Sequence, residues 1–344
     1  MFLSQIIFPM LHTSDASSFN DHLFYLHCSG SDWNTFYPDS SYSYYVDTGS
    51  NVVSYSGNTF VENAVFWNIV TDGCINIQAS CSVLILKCVF ENSNTQNSKG
   101  GGSIFQSGGQ NIQSHVCSYK SSEPEYNGWG GHSYVETDDS TAMKSFVLDS
   151  TITLSSGYYN AVMMDYGTSL ISSSNISRCN FQNNAAYGID YIKNTSVVEY
   201  SSISNCTSGS LCIGIHIGNS GLVNSCIFIG NSVNDGGSVI RFDTDVSTCK
   251  NSIIQYNTVN NIFSGISYII NCNLSPNNCL NNNFASNDNK SLTLELDLVS
   301  TMNCQAEYIP SETTLVSSKR FLNTSGKTRE QHIRYIVFLG FSCS

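Results

Sequence analysis

The repeated motif Phe-x-x-Asn constrains this chain more than any other feature. Complete copies begin at Phe60, Phe181, Phe228 and Phe284. A small residue, usually cysteine, serine or asparagine, lies two positions before the aromatic position or its aliphatic equivalent. These residues are Asn58, Cys88, Cys117, Ser150, Cys179, Ser201, Cys226, Ser252 and Asn282. They are separated by 30, 29, 33, 29, 22, 25, 26 and 30 residues, and a repeat of this length indicates a repeat architecture.

Short strand-like runs make up each repeat. Apolar, β-branched segments such as 222–229 alternate with turns rich in Gly, Asn and Ser, and helical periodicity does not persist for three turns. Propeller blades need about 40 to 50 residues, whereas a coil of three short strands needs about 25 to 30. We therefore predict an all-β chain that forms a single-stranded right-handed parallel β-helix of about nine coils. The β-helix spans 51–304, after an irregular N-terminal cap (1–50) and before a loosely ordered C-terminal tail (305–344).

The motif predicts what the interior of such a helix contains. Side chains alternate along a strand, so the motif's first position should form one inward-facing column. Its members are Phe90, Phe181, Phe228, Ile254 and Phe284. The Asn three residues later should lie at a turn, adopt left-handed backbone and hydrogen-bond to its equivalent in the next coil. Cys88 and Cys117 would be close enough on adjacent coils for a disulfide, or would remain reduced as small core residues.

Charge and cysteine content narrow the classes of partner and location. The net charge is −12, and the nine Lys and Arg residues before position 300 are scattered, which argues against nucleic acid as a partner. The 14 cysteines include no Cys-x-x-Cys pair, so we expect neither a zinc site nor a cofactor. An even, high cysteine count favours an oxidising compartment.

Sequons agree with an extracellular or cell-surface location. The six candidate glycosylation sites are Asn175, Asn194, Asn205, Asn273, Asn289 and Asn323. The apolar run at 333–341 contains Arg334 and is far shorter than the ~20 residues that span a bilayer. We expect no transmembrane helix, and no membrane anchor is visible in this sequence. The oligomeric state is left open.

A second motif links the chain to a known family. Gly-Gly-Ser followed by an aliphatic residue occurs at 101–104 and 236–239. Together with Phe-x-x-Asn, this pattern resembles the polymorphic outer-membrane proteins, and above all the related β-helix proteins on parasitic protist surfaces, over residues 55–300. The resemblance implies a pectate-lyase-like fold, surface display and adhesion without demonstrated catalysis. A bacterial member would end in a translocating barrel with a terminal aromatic residue, and the ending Phe341-Ser-Cys-Ser departs from that pattern, so we expect no such barrel here.

One set of polar residues is a candidate site. His132, Asp165, Asp190, His216, Arg241 and Ser267 recur at 33, 25, 26, 25 and 26 residues. Apolar neighbours flank the middle members, so alternation predicts an outward-facing stripe with one residue per coil. Asp165, Asp190, His216 and Arg241 could supply acid, base and charge stabilisation for polysaccharide cleavage. The alternative interpretation is an exposed ladder in which unlike charges stack.

Three functions follow from these patterns. The first is a non-enzymatic surface protein that binds a glycan or a host or matrix protein; the second is a secreted polysaccharide lyase or glycoside hydrolase; the third is a structural spacer. The short coils between 179 and 252 leave little chain for groove walls and favour the first. The aromatic-rich segment 33–45 is either a carbohydrate-stacking surface or, as we expect, a cap over the open end of the helix.

Overall fold

A computed structural model of the chain describes most of residues 32–281, together with positions 292 and 294. The gaps are 48, 50, 51, 71, 97–99, 124–127, 184, 185, 193, 194, 217–219, 235, 236, 244, 245 and 267. The motif copy at Phe284, the Gly-Gly-Ser copy's Gly236, Ser267, the sequons at Asn194, Asn289 and Asn323, and the tail 305–344 lie wholly or partly outside the described residues.

The described secondary structure is almost entirely β. It consists of α1 Trp33–Phe36 and the strands β1 Tyr44–Val46, β2 Thr59–Glu62, β3 Val65–Trp67, β4 Ile75–Ile77, β5 Cys81–Leu86, β6 Val89–Glu91, β7 Ile104–Ser107, β8 Gly109–Ser114, β9 Cys117–Tyr119, β10 Ser122–Glu123, β11 Ser133–Glu136, β12 Lys144–Leu148, β13 Thr151–Thr153, β14 Ser156–Gly157, β15 Val162–Asp165, β16 Thr168–Ser172, β17 Asn175–Ser177, β18 Asn180–Phe181, β19 Tyr187–Asp190, β20 Thr195–Glu199, β21 Ser202–Ser204, β22 Thr207–Ser208, β23 Leu211–His216, β24 Ser220–Asn224, β25 Ile227–Ile229, β26 Ser232–Val233, β27 Ser238–Asp243, β28 Ser247–Lys250, β29 Ile253–Gln255, β30 Thr258–Ser264, β31 Tyr268–Ile270 and β32 Asn278–Asn281.

These strands form three parallel sheets that the chain visits in turn. Sheet A has the order β1-β2-β5-β8-β12-β16-β20-β24-β28-β31, and sheet B has the order β29-β25-β21-β17-β13-β9-β6-β3. Sheet C contains 14 strands. Its longer strands, one per coil, run from β4 to β30, and short strands that follow sheet B in the chain, such as β14 and β18, belong to the same sheet. The predicted parallel β-helix is confirmed, with about seven turns rather than about nine.

The corner between sheets A and B follows one rule. A residue in left-handed backbone turns the chain, and a buried residue follows it that is small in every described coil except at Val116. The left-handed residues are Asn63, Lys87, His115, Asp149, Ser173, Tyr200, Ser225, Asn251 and Asn271. Where the next residue is serine, its hydroxyl accepts from a backbone N–H in the preceding coil, as Ser150 does from Val116 at 3.1 Å and Ser201 from Ser174 at 3.1 Å. The small residue is therefore needed both for space and for its acceptor.

The corner after sheet B contains the asparagine ladder. The Oδ1 of Asn257 accepts from the backbone N of Asn231 at 2.9 Å and from its Nδ2 at 3.0 Å. Asn277 makes the same two bonds to Asn257 at 2.9 and 3.1 Å. The predicted ladder is confirmed. The predicted left-handed backbone of the motif's asparagine is found at Asn63, but beside the buried Asn231 and Asn257 it is the preceding residue, Gly230 or Tyr256, that is left-handed.

The inner face of sheet B carries the column of large side chains. It runs through Phe66, Phe90, Ser118, Ile152, Ile176, Ile203, Phe228 and Ile254 in successive coils. The predicted members Phe90, Phe228 and Ile254 are confirmed. Phe181 is not a member, because it lies in the short strand β18 one corner further on. Cys179 lies in the corner after sheet B, not in the corner between sheets A and B, so Phe181, two residues later, also lies one corner further along the chain.

A polar layer divides the interior into two apolar cores. The first is built around Phe66 and Phe90, and the second extends from Val147 to Cys272. Between them, Nδ2 of Asn111 donates to Oε1 of Gln106 at 2.7 Å, and Nε2 of Gln113 donates to Oδ1 of Asn111 at 3.1 Å. Amides that bond to one another can be buried at modest cost.

The N-terminal segment covers the side of the helix. Trp33, Phe36 and Tyr37 pack on an apolar outer face of sheet A, and the hydroxyl of Tyr37 donates to the backbone O of Val83 at 3.0 Å. The prediction of a cap over the open end is therefore wrong for these aromatics. No helix in the described ranges is long and apolar enough to cross a membrane.

Most of the described cysteines are small core residues. Eight of them are free and buried: Cys74, Cys81, Cys88, Cys179, Cys206, Cys226, Cys249 and Cys272. A Cys88–Cys117 disulfide is ruled out, because Cys88 is free and Cys117 is in register with Val89 instead. The thiol of Cys88 contacts the backbone O of Leu86 at 3.3 Å, and burial raises its pKa to about 12. The thiol therefore remains protonated and unreactive.

Candidate functional site

Carboxyl groups from three successive coils meet on the outer face of sheet C. Glu136 ends β11, Asp165 ends β15 and Asp190 ends β19, and each is in direct register with the next. We call these three residues the acidic column. The residues before them, Val135, Met164 and Ile189, are fully buried in the core, so alternation turns the carboxyl groups outward. Adjacent coils are separated by roughly 4.8 Å, so the three acids are immediate neighbours.

A tyrosine pair lies beside the acidic column. Tyr166 follows Asp165 and Tyr191 follows Asp190, and both adopt left-handed backbone. Their ring centroids are 5.6 Å apart with an interplanar angle of 25°. Tyr191 is 49% exposed. The two coils thus present a stacked aromatic surface next to two carboxyl groups.

Asp165 is the most buried member of the column. Only 8% of it is exposed, its Oδ2 accepts from the hydroxyl of Tyr134 at 3.0 Å, and its Oδ1 is buried without a hydrogen-bond partner among the described residues. Burial, followed by the charge of Asp190, raises the pKa of Asp165 to about 7; the bond from Tyr134 opposes this shift and Glu136 adds to it. A carboxyl group with this pKa is protonated in about half of the molecules at neutral pH.

The remaining partners hold the column in place. The hydroxyl of Ser107 donates to Oε2 of Glu136 at 2.9 Å. Burial raises the pKa of Tyr134, as does the nearby Asp165, so Tyr134 donates as a neutral phenol. Gly188 lies two residues before Asp190 on the outer face of β19. A Cβ at this position would lie 2.2 Å from Nδ2 of Asn160, so the glycine leaves the room that this amide needs.

The structure brings together only part of the predicted stripe. Asp165 and Asp190 are in register as predicted. The backbone of His216 continues the column, since Ile215 pairs with Ile189, but its side chain lies outside the described residues. Arg241 pairs with Gly214 rather than His216, and it is Asp243 that is in register with His216. Arg241 instead forms an exposed ion pair with Asp243 at 2.7 Å.

His132 does not belong to the outer stripe. It is completely buried, at the bend before β11, and its ring packs edge-on against Phe90 with centroids 5.6 Å apart. Burial lowers the pKa of its imidazole to about 3. The expectation that His132 faces outward is therefore wrong, and it takes no part in the site.

Sequence reasoning missed Glu136, Tyr134 and the tyrosine pair. One signal was present: the dipeptide Asp-Tyr recurs 25 residues apart, at 165–166 and 190–191. Within the described ranges, no group of three or more His, Cys, Asp or Glu side chains has the arrangement of a metal site.

The predicted glycosylation sites lie in different environments. Asn205 is an exposed corner residue in left-handed backbone. Asn175 is in β17 and accepts from the hydroxyl of Ser202 at 2.7 Å, and Asn273 accepts from Nε2 of Gln255 at 2.9 Å. Of these three, Asn205 is the most accessible acceptor.

Comparisons of the chain with protein-family models, curated proteins and solved structures found no match.

Proposed function

We propose that this chain is a secreted or cell-surface β-helix protein that binds a glycan on the outer face of sheet C and does not cleave it. The observation that carries the proposal is the acidic column beside the tyrosine pair. Sugars offer hydroxyl groups to carboxylates and an apolar ring face to aromatic side chains, and both partners are present at one place. Aromatic groups such as exposed tyrosines supply large contact area with a polar end.

The proposed location and the proposed adhesive role are supported by two other observations. The accessible sequon at Asn205 and the two motifs shared with surface β-helix proteins favour display outside the cell. The cysteine count no longer adds to this argument, since eight of the described cysteines are free and buried in the core.

A glycoside hydrolase is the second candidate, favoured by one specific observation. A general acid must carry a proton at working pH, and Asp165, whose pKa is raised to about 7, lies beside the second carboxyl group of Asp190. Against a lyase acting on uronate polymers, Arg241 is engaged by Asp243 rather than directed at the column.

A glycan array tests the proposed function. Wild type should bind a subset of glycans, and Tyr191→Ala should weaken that binding at least tenfold because it removes the exposed ring. Tyr256→Ala is the matched control, since Tyr256 is 63% exposed and also in left-handed backbone but lies at a different corner. Equal binding by wild type and Tyr191→Ala would refute the site.

The same samples separate the alternatives. Release of reducing ends from a bound glycan by wild type, lost in Asp165→Asn and Asp190→Asn, would establish the hydrolase instead. Absence of binding to any glycan, with both proteins folded, would favour a spacer or a protein partner.

A further inference from the structure

The site is surrounded by negative charge. Glu136, Asp165 and Asp190 are contiguous. The pKa of Tyr166 is raised mainly by burial, then by Asp165 and other neighbours, and Asp139 is close enough to add to this shift. Arg241, on the same face, is neutralised by Asp243. A ligand with carboxylate groups would be repelled here, and one with positive charge would be attracted.

The tyrosine pair adds to this preference. The face of an aromatic ring is the negative part of its quadrupole and attracts cations within about 6 Å. Tyr166 and Tyr191 are nearly parallel, and Tyr191 is half exposed. Aromatic faces next to carboxylates are the combination that recognises ammonium groups.

The orphan oxygen of Asp165 is a separate indication that the site is completed by a ligand. Asp165 lies in register between Glu136 and Asp190, its side chain is nine-tenths buried, and its Oδ1 has no hydrogen-bond partner in the described part of the chain. A buried polar atom without a partner is costly. An ammonium group near the column would favour the ionised carboxylate and compensate that cost.

We propose, on the basis of the proposed function, that the ligand is a polymer of amino sugars whose ammonium groups lie between the acidic column and the tyrosine pair, and that binding releases the proton of Asp165. In this step the Asp165 O–H bond breaks, the proton passes to the buffer, and the ligand's N–H bonds are unchanged. The groups that face Asp165 are Tyr134 and Glu136 from β11, Asp190 from β19, and Tyr166 beside it; Tyr191, which follows β19, faces Tyr166.

An amino-sugar polymer fits better than a lysine-rich peptide. Side chains on one face of an extended peptide recur every ~6.7 Å, whereas the coils recur every ~4.8 Å. Consecutive lysines would therefore fall out of step with consecutive carboxyl groups. A sugar ring can also stack on the flat tyrosine surface while its amine reaches the column.

Calorimetric titration with four probes tests this. The probes are hexamers of glucosamine, N-acetylglucosamine and galacturonate, and a lysine hexapeptide. We expect the glucosamine hexamer to bind at least tenfold more tightly than the N-acetylated hexamer, no binding of the galacturonate hexamer, and a loss of affinity in higher NaCl. Asp190→Asn should weaken binding of the glucosamine hexamer about tenfold and binding of the neutral hexamer by a smaller factor, because asparagine can still hydrogen-bond to a sugar but has lost the charge.

Proton release is measured by repeating the titration at pH 6.5 in buffers of different ionisation enthalpy. Wild type should release up to about one proton more than Asp165→Asn, which corrects for protons that the ligand itself exchanges. Equal proton counts in the two proteins would overturn the role of Asp165, and the salt dependence of wild type tests the charge preference without any variant.

The outcomes separate this proposal from the one on which it rests. Equal or tighter binding of the neutral or anionic hexamer would overturn the charge preference and leave glycan binding intact. Preferential binding of the lysine peptide would replace the sugar by a protein partner. Failure of all four probes, together with an unreactive glycan array, would overturn both.

Discussion

His132 packs against the side-chain column of sheet B, in which Ser118 is the small member. In the column on sheet B, Ser118 occupies the position that Phe90 fills one coil earlier and Ile152 one coil later. A serine leaves space in the column there, and the ring of His132 packs edge-on against Phe90 in the neighbouring coil. The imidazole stays neutral because both nitrogens are buried with no hydrogen-bond partner among the described residues.

Burial of His132 predicts an acid-sensitive contribution to stability. Its pKa in the folded state is about 3, below the usual value near 6.5, so between these values the unfolded chain binds more protons than the folded one. The contribution is complete above about pH 6.5 and is lost as the pH falls towards 3. His132→Leu removes this penalty. The free energy of unfolding of His132→Leu minus that of wild type should therefore be larger at pH 4 than at pH 7.5, by roughly 2 to 4 kcal/mol.

Urea unfolding of both proteins at pH 4 and 7.5 checks this. If the difference between wild type and His132→Leu is the same at both pH values, the buried imidazole does not titrate as proposed. The comparison is internal to each variant, so a change in packing caused by leucine cancels.

At the scale of the element, a recurring corner is one left-handed residue followed by a serine or asparagine whose side chain bonds to a neighbouring coil. Asn257 is the central member of the asparagine ladder. It accepts two bonds from Asn231 and donates to the backbone O of Phe228 at 3.0 Å. Its side chain is fully buried.

Removal of this amide should be costly. Asn257→Ala removes the acceptor of the buried backbone N–H of Asn231 and of its Nδ2, and we expect the free energy of unfolding to fall by about 3 kcal/mol. Asn234→Ala is the matched control, because Asn234 is exposed and its recorded bonds are made by the backbone; its change should stay within about 0.5 kcal/mol. Chemical unfolding followed by circular dichroism measures both, and similar losses in the two variants would show that the ladder is not stabilising.

The sequence predicted the parts of the fold that depend on the repeat, and it failed where coil length varies. The parallel coils, the asparagine ladder and the inward Phe90 and Phe228 follow from alternation and spacing alone. Register on sheet C does not: Arg241 and Asp243 both face outward two residues apart, so alternation cannot decide which continues the column. Only the backbone pairing of β23 with β27 shows that it is Asp243. His132 was misplaced because it lies at a bend, where alternation does not apply.

At the scale of the whole molecule, the polar layer between the two cores has a mechanical consequence. In a solenoid each coil contacts only its neighbours, so stability is close to a sum of local contributions. The layer formed by Gln106, Asn111 and Gln113 interrupts the apolar contacts inside the helix between the N-terminal and the C-terminal coils. The two cores should therefore unfold as separate cooperative units.

Native-state hydrogen exchange tests this division with one substitution in each core. Phe66→Ala, which removes the ring stacked 5.0 Å from Phe90, should lower the protection of amides in β2 to β6 and leave β21 to β29 unchanged. Ile203→Ala should do the reverse, since Ile203 belongs to the second core. Each substitution should cost about 3 kcal/mol in its own unit. If either one lowers protection equally along all coils, the molecule unfolds as one unit and the polar layer transmits cooperativity instead of interrupting it.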